Sequence, residues 1–67
     1  MAHYYLSYEV SYPFEGEIET EVDSAIVEAK SLAEAKREQR RDVLIEYGTD
    51  AKIHWSDAYR TSDDARL

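Results

Sequence analysis

The strict alternation of side chains over residues 3–12 constrains the fold more than any other feature of the chain. The even positions are apolar or aromatic, namely Tyr4, Leu6, Tyr8, Val10 and Tyr12. The odd positions are mostly polar, namely His3, Tyr5, Ser7, Glu9 and Ser11. Successive side chains of a strand point to opposite faces of a sheet, so the pattern predicts a strand over 3–12 with its even-numbered face buried.

The segment that follows predicts a β-hairpin. Residues 13–16, Pro-Phe-Glu-Gly, suit a type I turn that ends in a left-handed Gly16, which gives a three-residue loop with a bulge. Apolar and acidic residues then alternate, which predicts a second strand over 17–29. Placing the apolar rows of both strands on the buried face sets the register. The predicted pairs are Tyr12 with Ile18, Val10 with Thr20, and Tyr8 with Val22.

The apolar positions of the second strand change parity along its length. Ile18 and Val22 are even-numbered, whereas Val27 and Ala29 are odd-numbered. An extra residue in one strand moves every later side chain to the other face, so this change predicts a bulge near 23–25.

A capping box marks the start of a helix. Ser31 can accept a hydrogen bond from the amide of Glu34, and the Glu34 carboxylate can accept one from the amide of Ser31. Strong helix formers follow, so the helix is predicted to begin at Leu32.

The end of the helix is open between two alternatives. Gly48 is a typical C-terminal cap and favours a helix over 32–47. The alternative is a helix over 32–41, with the alternating residues 43–47 as a further strand.

Residues 52–59 alternate again and predict a final strand, and the polar tail 61–67 is expected to fray. We therefore predict one domain over 1–67 with an α+β fold in the order β-β-α-β. Its antiparallel sheet has three strands, or four with the shorter helix, and the helix packs on one face.

Length and composition exclude several classes of function. A chain of 67 residues has little room for a cofactor domain or a deep cleft, so we expect neither a cofactor nor an enzyme. It contains no cysteine, which excludes thiolate metal sites, and no metal-binding motif is present. Residues 1–12 resemble neither a signal peptide nor a membrane span, and we expect a cytoplasmic protein. The run 54–57, His-Trp-Ser-Asp, is too local for a catalytic triad, which needs convergent elements.

Charge is distributed unevenly along the chain. The net charge is −7, residues 1–29 hold seven acids without Lys or Arg, and residues 30–41 hold five bases. A negative field opposes binding to nucleic acid or an anionic membrane. We therefore expect a protein partner with a basic surface, and a homodimer is the second arrangement compatible with so small a domain.

The acidic residues of the hairpin form the predicted binding site. Alternate residues of a strand lie about 6.7 Å apart, which matches every second phosphate of a nucleic-acid strand. The predicted register places Glu9 opposite Glu21, and Tyr5 lies on the same face. The predicted partner-binding residues are Tyr5, Glu9, Glu17, Glu19, Glu21 and Asp23.

A strand ending in Val-x-Ala-x-Ser leads into a Leu-x-x-Ala-Lys helix over residues 27–36. This junction resembles those of compact β-β-α-β proteins, among them small phage-encoded anti-CRISPR inhibitors of type I systems. The resemblance implies inhibition by occupying a surface of the CRISPR surveillance complex, in some members by acidic mimicry of DNA. No functional residue is carried over, because these inhibitors share no catalytic motif.

Two hypotheses for function result. The first is an acidic inhibitor that binds a nucleic-acid-binding protein in place of a DNA backbone. The alternative is a small adaptor or homo-oligomeric assembly module, whose acidic residues serve solubility or salt adaptation.

Overall fold

The computed structural model describes residues 2–61, which form three strands and one helix. In chain order these are β1 (Ala2–Phe14), β2 (Glu17–Ala29), α1 (Leu32–Tyr47) and β3 (Lys52–Arg60). The antiparallel sheet has the order β2-β1-β3, and α1 packs on one face, so the predicted α+β fold is confirmed. Of the predicted tail, Thr61 donates its amide to the His3 carbonyl at 2.9 Å, and residues 62–67 lie outside the described part.

The hairpin loop is one residue shorter than predicted. Phe14 pairs with Glu17, which leaves a loop of Glu15 and Gly16. Both have positive φ, 53° and 80°, as a type I′ turn requires. The left-handed Gly16 is confirmed, but the three-residue loop with a bulge was wrong.

The shorter loop shifts the strand register by one residue. Tyr12 faces Glu19 and Tyr8 faces Asp23, so the predicted pairs with Ile18, Thr20 and Val22 were wrong. Because side chains alternate, the shift moves the side chains of β2 that precede the predicted bulge to the other face. Ile18 and Val22 consequently lie on the uncovered face of the sheet, with 69% and 72% of their surfaces exposed.

No bulge interrupts β2. Its register with β1 is constant from Ala29 to Glu17, so all its odd-numbered residues face the helix side. The change of parity in the sequence instead marks where the odd-numbered residues of β2 change from exposed acids to residues of the core. Val27 and Ala29 lie in or against the core, and the acidic residues lie beyond it. The register shift in this sheet is between β1 and β3, at Ser7/Tyr8.

The helix has the longer of the two predicted extents. At its start the Glu34 amide donates to Ser31 Oγ at 3.1 Å, and Glu34 Oε1 accepts from the Lys30 amide at 2.8 Å rather than from Ser31. At its end the Gly48 amide donates to the Leu44 carbonyl at 2.9 Å. Among residues 2–61, no helix combines the length and hydrophobicity needed to cross a membrane.

The core lies between α1 and the even-numbered face of β1. Leu6 and Val10 are fully buried there, and Ala35 and Val43 of the helix pack against this face. Tyr8 is held on two sides. Its ring meets Trp55 edge-on at 5.4 Å between centroids, and its hydroxyl accepts from Gln39 Nε2 at 2.8 Å.

Glu15 occupies a left-handed conformation that disfavours most side chains, so Glu15→Asn should stabilise the domain. Asn tolerates this conformation better, and we expect a gain of roughly 0.5–1 kcal/mol in the free energy of unfolding. Urea unfolding followed by circular dichroism measures it. The control Glu17→Asn removes the same charge at an extended position and should not stabilise; an equal gain there would assign the effect to charge alone.

Candidate protein-binding site

An acidic row lies along β2, the edge strand next to β1. We use this name for Glu17, Glu19, Glu21 and Asp23. All four are exposed, and all four point to the helix side of the strand. β2 is an edge strand, so the row borders solvent rather than another strand of the described chain.

Two of the predicted binding residues lie on the opposite face. Glu9 faces Val22 on one side and His54 on the other, so the predicted Glu9–Glu21 pair does not form. Tyr5 is half-buried and packs on Tyr59, with 5.2 Å between ring centroids. The one-residue change of register accounts for both corrections. The odd-numbered residues of β1 stay on the face predicted for them, whereas the acidic row of β2 moves to the other face.

Glu21 is held by two tyrosines at the end of the helix. Tyr12 donates its hydroxyl to Glu21 Oε2 at 2.7 Å, and Tyr47 donates to Oε1 at 3.3 Å. The two rings pack with centroids 4.7 Å apart. The hydrogen bond to Glu21 is the main cause that raises the pKa of Tyr12 to about 12, while burial first and then the Glu21 charge raise the pKa of Tyr47.

Two helix residues extend the acidic surface. Burial raises the pKa of Tyr8, the hydrogen bond from Gln39 lowers it, and the charges of Asp23, Glu46 and Asp42 raise it further. Asp42 and Glu46, both exposed, thus act on the same tyrosine as Asp23 of the acidic row. Sequence reasoning missed them, although the longer of the two predicted helices places them four residues apart on one helix face.

The end of the hairpin extends beyond the rest of the domain. We call residues 13–20 the distal arm, and every one of them is exposed. β3 pairs with β1 only as far as Ser11, and α1 ends at Tyr47 against Tyr12. The arm carries acids at three positions and exposed apolar side chains at Phe14 and Ile18.

The outer side of the helix is basic. We define the basic stripe as Arg37, Arg40, Arg41, Leu44 and Ile45. Together with Thr49 these residues line a shallow groove of about 410 Å³. Within residues 2–61, no ion pair joins its three arginines to a carboxylate, and Ile45 is 76% exposed.

The uncovered face of the sheet is partly apolar. Ile18, Val22 and Ile26 follow one another along β2, each more than 60% exposed. Tyr59 of β3 is 49% exposed on the same face, where it packs on Tyr5. An exposed apolar surface of this kind is typical of interaction sites.

The side chains of 54–57 do not converge. Ser56 Oγ donates to Ser7 Oγ at 3.1 Å, and the Asp57 carboxylate accepts from the Ala58 amide at 3.0 Å. Over the described part of the chain, no group of three or more acidic or histidine side chains is arranged to hold a metal ion.

Comparison with known proteins was negative at every level. No protein family, curated protein or solved structure matches this chain.

The hydrogen bond between Tyr12 and Glu21 should be visible in a tyrosine titration. The fold favours the neutral phenol of Tyr12. The stability that this contributes to the fold is complete below the ordinary pKa of 10.0 and is lost as the pH rises through about 12. Glu21→Gln should lower the pKa of Tyr12 towards 10.0. The measurement is the tyrosinate absorbance of each protein minus that of its Tyr12→Phe counterpart. Glu19→Gln should shift this pKa less, and an equal shift would mean that net charge rather than the hydrogen bond raises it.

Proposed function

We propose that this chain is a non-catalytic binding protein that occupies the basic surface of a nucleic-acid-binding protein through its acidic row. The observation that carries the proposal is the placement of the row: four exposed carboxylates on one side of an edge strand. The carboxylates of Glu17 and Glu19 have no hydrogen bond or ion pair within residues 2–61, so their charges are available to a partner.

The spacing of the row supports mimicry of a nucleic-acid backbone. Alternate strand residues lie about 6.7 Å apart, so the row extends over about 20 Å. Phosphates advance about 3.4 Å per nucleotide along a strand, and the carboxylates match every second phosphate. Asp42 and Glu46 of α1 add two further exposed carboxylates, whose charges act with that of Asp23 on Tyr8.

The class of partner follows from this chemistry. A groove of Lys and Arg side chains that normally holds phosphates would accept the row. The resemblance of residues 27–36 to anti-CRISPR inhibitors makes the CRISPR surveillance complex one candidate of this class. The net charge of −7 speeds encounter with a basic surface and opposes direct binding to nucleic acid.

The test is a competition experiment with two matched variants. Immobilised protein should retain nucleic-acid-binding proteins from a cell lysate and release them when duplex DNA or salt is added. The variant Glu17→Gln/Glu19→Gln/Asp23→Asn removes three charges of the row and leaves Glu21 with its tyrosines. It should lose this retention.

The control variant Glu9→Gln/Glu28→Gln/Asp50→Asn removes the same number of charges elsewhere and should retain the partner. Equal retention by both variants, or a partner that DNA does not displace, would overturn the proposal.

A second candidate function is an adaptor that binds a protein through the uncovered face of the sheet. The exposure of Ile18, Val22 and Ile26 favours it. The same experiment separates the two. Val22→Thr/Ile26→Thr keeps β-branched residues in the strand but reduces the apolar surface, so it should abolish capture only if this face is the binding site.

A further inference from the structure

Two surfaces of the molecule are complementary in charge and in apolar character. The distal arm holds Glu15, Glu17 and Glu19 and no basic residue, and Phe14 on it is 54% exposed. The basic stripe holds three arginines without ion pairs in the described chain, next to the exposed Ile45. Within the described protomer, neither the carboxylates of the arm nor the arginines of the stripe have an ion-pair partner. Each surface carries the charge that the other would pair with.

The spacing of the charges also matches. Glu17 and Glu19 are alternate residues of a strand and lie about 6.7 Å apart. Arg37 and Arg41 are four residues apart on a helix, which separates them by about 6 Å along its axis. Two guanidinium groups can thus meet two carboxylates without distortion of either element.

The shape of the protomer leaves room for this contact. α1 has 16 residues, and β1 and β2 have 13 each, so the helix at about 1.5 Å per residue is much shorter than the hairpin at about 3.3 Å per residue. The longest dimension of the domain is 45 Å. Beyond Tyr47 the helix side of the arm, with Phe14, Glu17 and Glu19, is uncovered.

We infer that a second copy of this chain covers the arm, and that two copies interlock about a two-fold axis. The helix of each copy lies on the arm of the other, antiparallel to its own counterpart. Arg41 then meets Glu19 of the second copy, and Arg37 meets Glu17. Residues 37–45 of the helix span about 12 Å, and residues 17–21 of the facing strand span about 13 Å. With Arg37 at Glu17, Ile45 therefore lies level with Glu21 of the second copy and reaches the ring of Tyr12, which is hydrogen-bonded to that Glu21.

Symmetry makes the contact large enough to be stable. A specific interface buries about 800 Å² on each partner, which one arm in one groove would not reach. In the two-fold arrangement each copy contributes both its arm and its groove, which doubles the buried area. The net charge of −7 on each copy opposes association at long range, so the local ion pairs and the apolar contacts hold the dimer.

This inference rests on the acidity of the arm, which the proposed function also uses. The dimer covers Glu17 and Glu19, so a second copy and a basic protein partner compete for the same surface. Dissociation of the dimer would then control when the acidic row is available.

The experiment uses charge reversal in the purified full-length protein. Sedimentation equilibrium should give a mass of twice 7.8 kDa for the wild type. Arg37→Glu/Arg41→Glu and Glu17→Lys/Glu19→Lys each place like charges together and should weaken the dimer at least about tenfold. An equimolar mixture of these two variants should form a heterodimer, because both of its contacts again join opposite charges.

The control Glu9→Lys/Glu28→Lys makes the same change of net charge on the uncovered face and should leave the dimer intact. A wild-type monomer at the highest soluble concentration, or a dimer that both reversals leave unchanged, would overturn the inference. The proposed function is judged separately, since Arg37→Glu/Arg41→Glu keeps the acidic row and should still retain nucleic-acid-binding proteins. Circular dichroism of each variant verifies its fold.

Discussion

Leu6→Ala should remove a large part of the stability of this domain. Leu6 is fully buried between the helix and the sheet, and its truncation leaves a cavity that costs about 3 kcal/mol. A chain of 67 residues has a free energy of unfolding of roughly 3–10 kcal/mol, so the variant should unfold at much lower denaturant concentration. Urea unfolding followed by the fluorescence of Trp55, which packs against the core, measures the loss.

The matched control is Ile18→Ala, which deletes the same number of carbon atoms. Ile18 is 69% exposed on the uncovered face, so its truncation should cost less than about 1 kcal/mol, mainly through strand propensity. In the register predicted from sequence, Ile18 would instead be buried against Tyr12. A loss at Ile18 equal to that at Leu6 would therefore restore that register and contradict the structure.

The elements of this fold are predictable from sequence because their signals are local. The alternation within each strand segment and the capping box of Ser31 depend on neighbouring residues only, and the three strands and the start of the helix follow from them. The register depends on the loop length, and residues 13–16 suit loops of both two and three residues. The structure adopts the loop that brings Val27 and Ala29 to the helix without a bulge. Exposure of Ile18 and Val22 is the consequence.

The candidate site was also predictable only in part, namely in those features that depend on a single strand. The acidic row shares one side of one strand, so its members stay together in any register. Glu9 and Tyr5 belong to the neighbouring strand, and their relation to the row depends on the register that sequence alone misassigned. Asp42, Leu44 and Ile45 are helical only in the longer of the two predicted helices, and the sequence left that choice open. Contacts between elements, rather than patterns within them, are what the structure adds.

Gly48→Ala should have the second largest effect among the changes considered. Gly48 has φ 102° and ψ 161°, a region that is accessible almost only to glycine. An added Cβ would meet no atom within 4 Å, so the loss comes from the backbone alone. We expect a loss of about 2 kcal/mol in the free energy of unfolding, because the backbone strain either remains or displaces the link from α1 to β3. In that link the Ala51 amide donates to the Gly48 carbonyl at 3.1 Å.

Two controls isolate the backbone as the cause. Gly16→Ala, at φ 80°, should cost about 1 kcal/mol, since the left-handed region is less restrictive than that of Gly48. D-alanine at position 48, introduced by chemical synthesis, should be tolerated, because a D-residue at φ 102° has the freedom that an L-residue has in the extended region. Equal destabilisation by L-alanine and D-alanine in urea unfolding would show that the side chain, not the backbone conformation, is what position 48 rejects. Tolerance of D-alanine alone would establish that the path from α1 into β3 depends on the positive φ of this one residue.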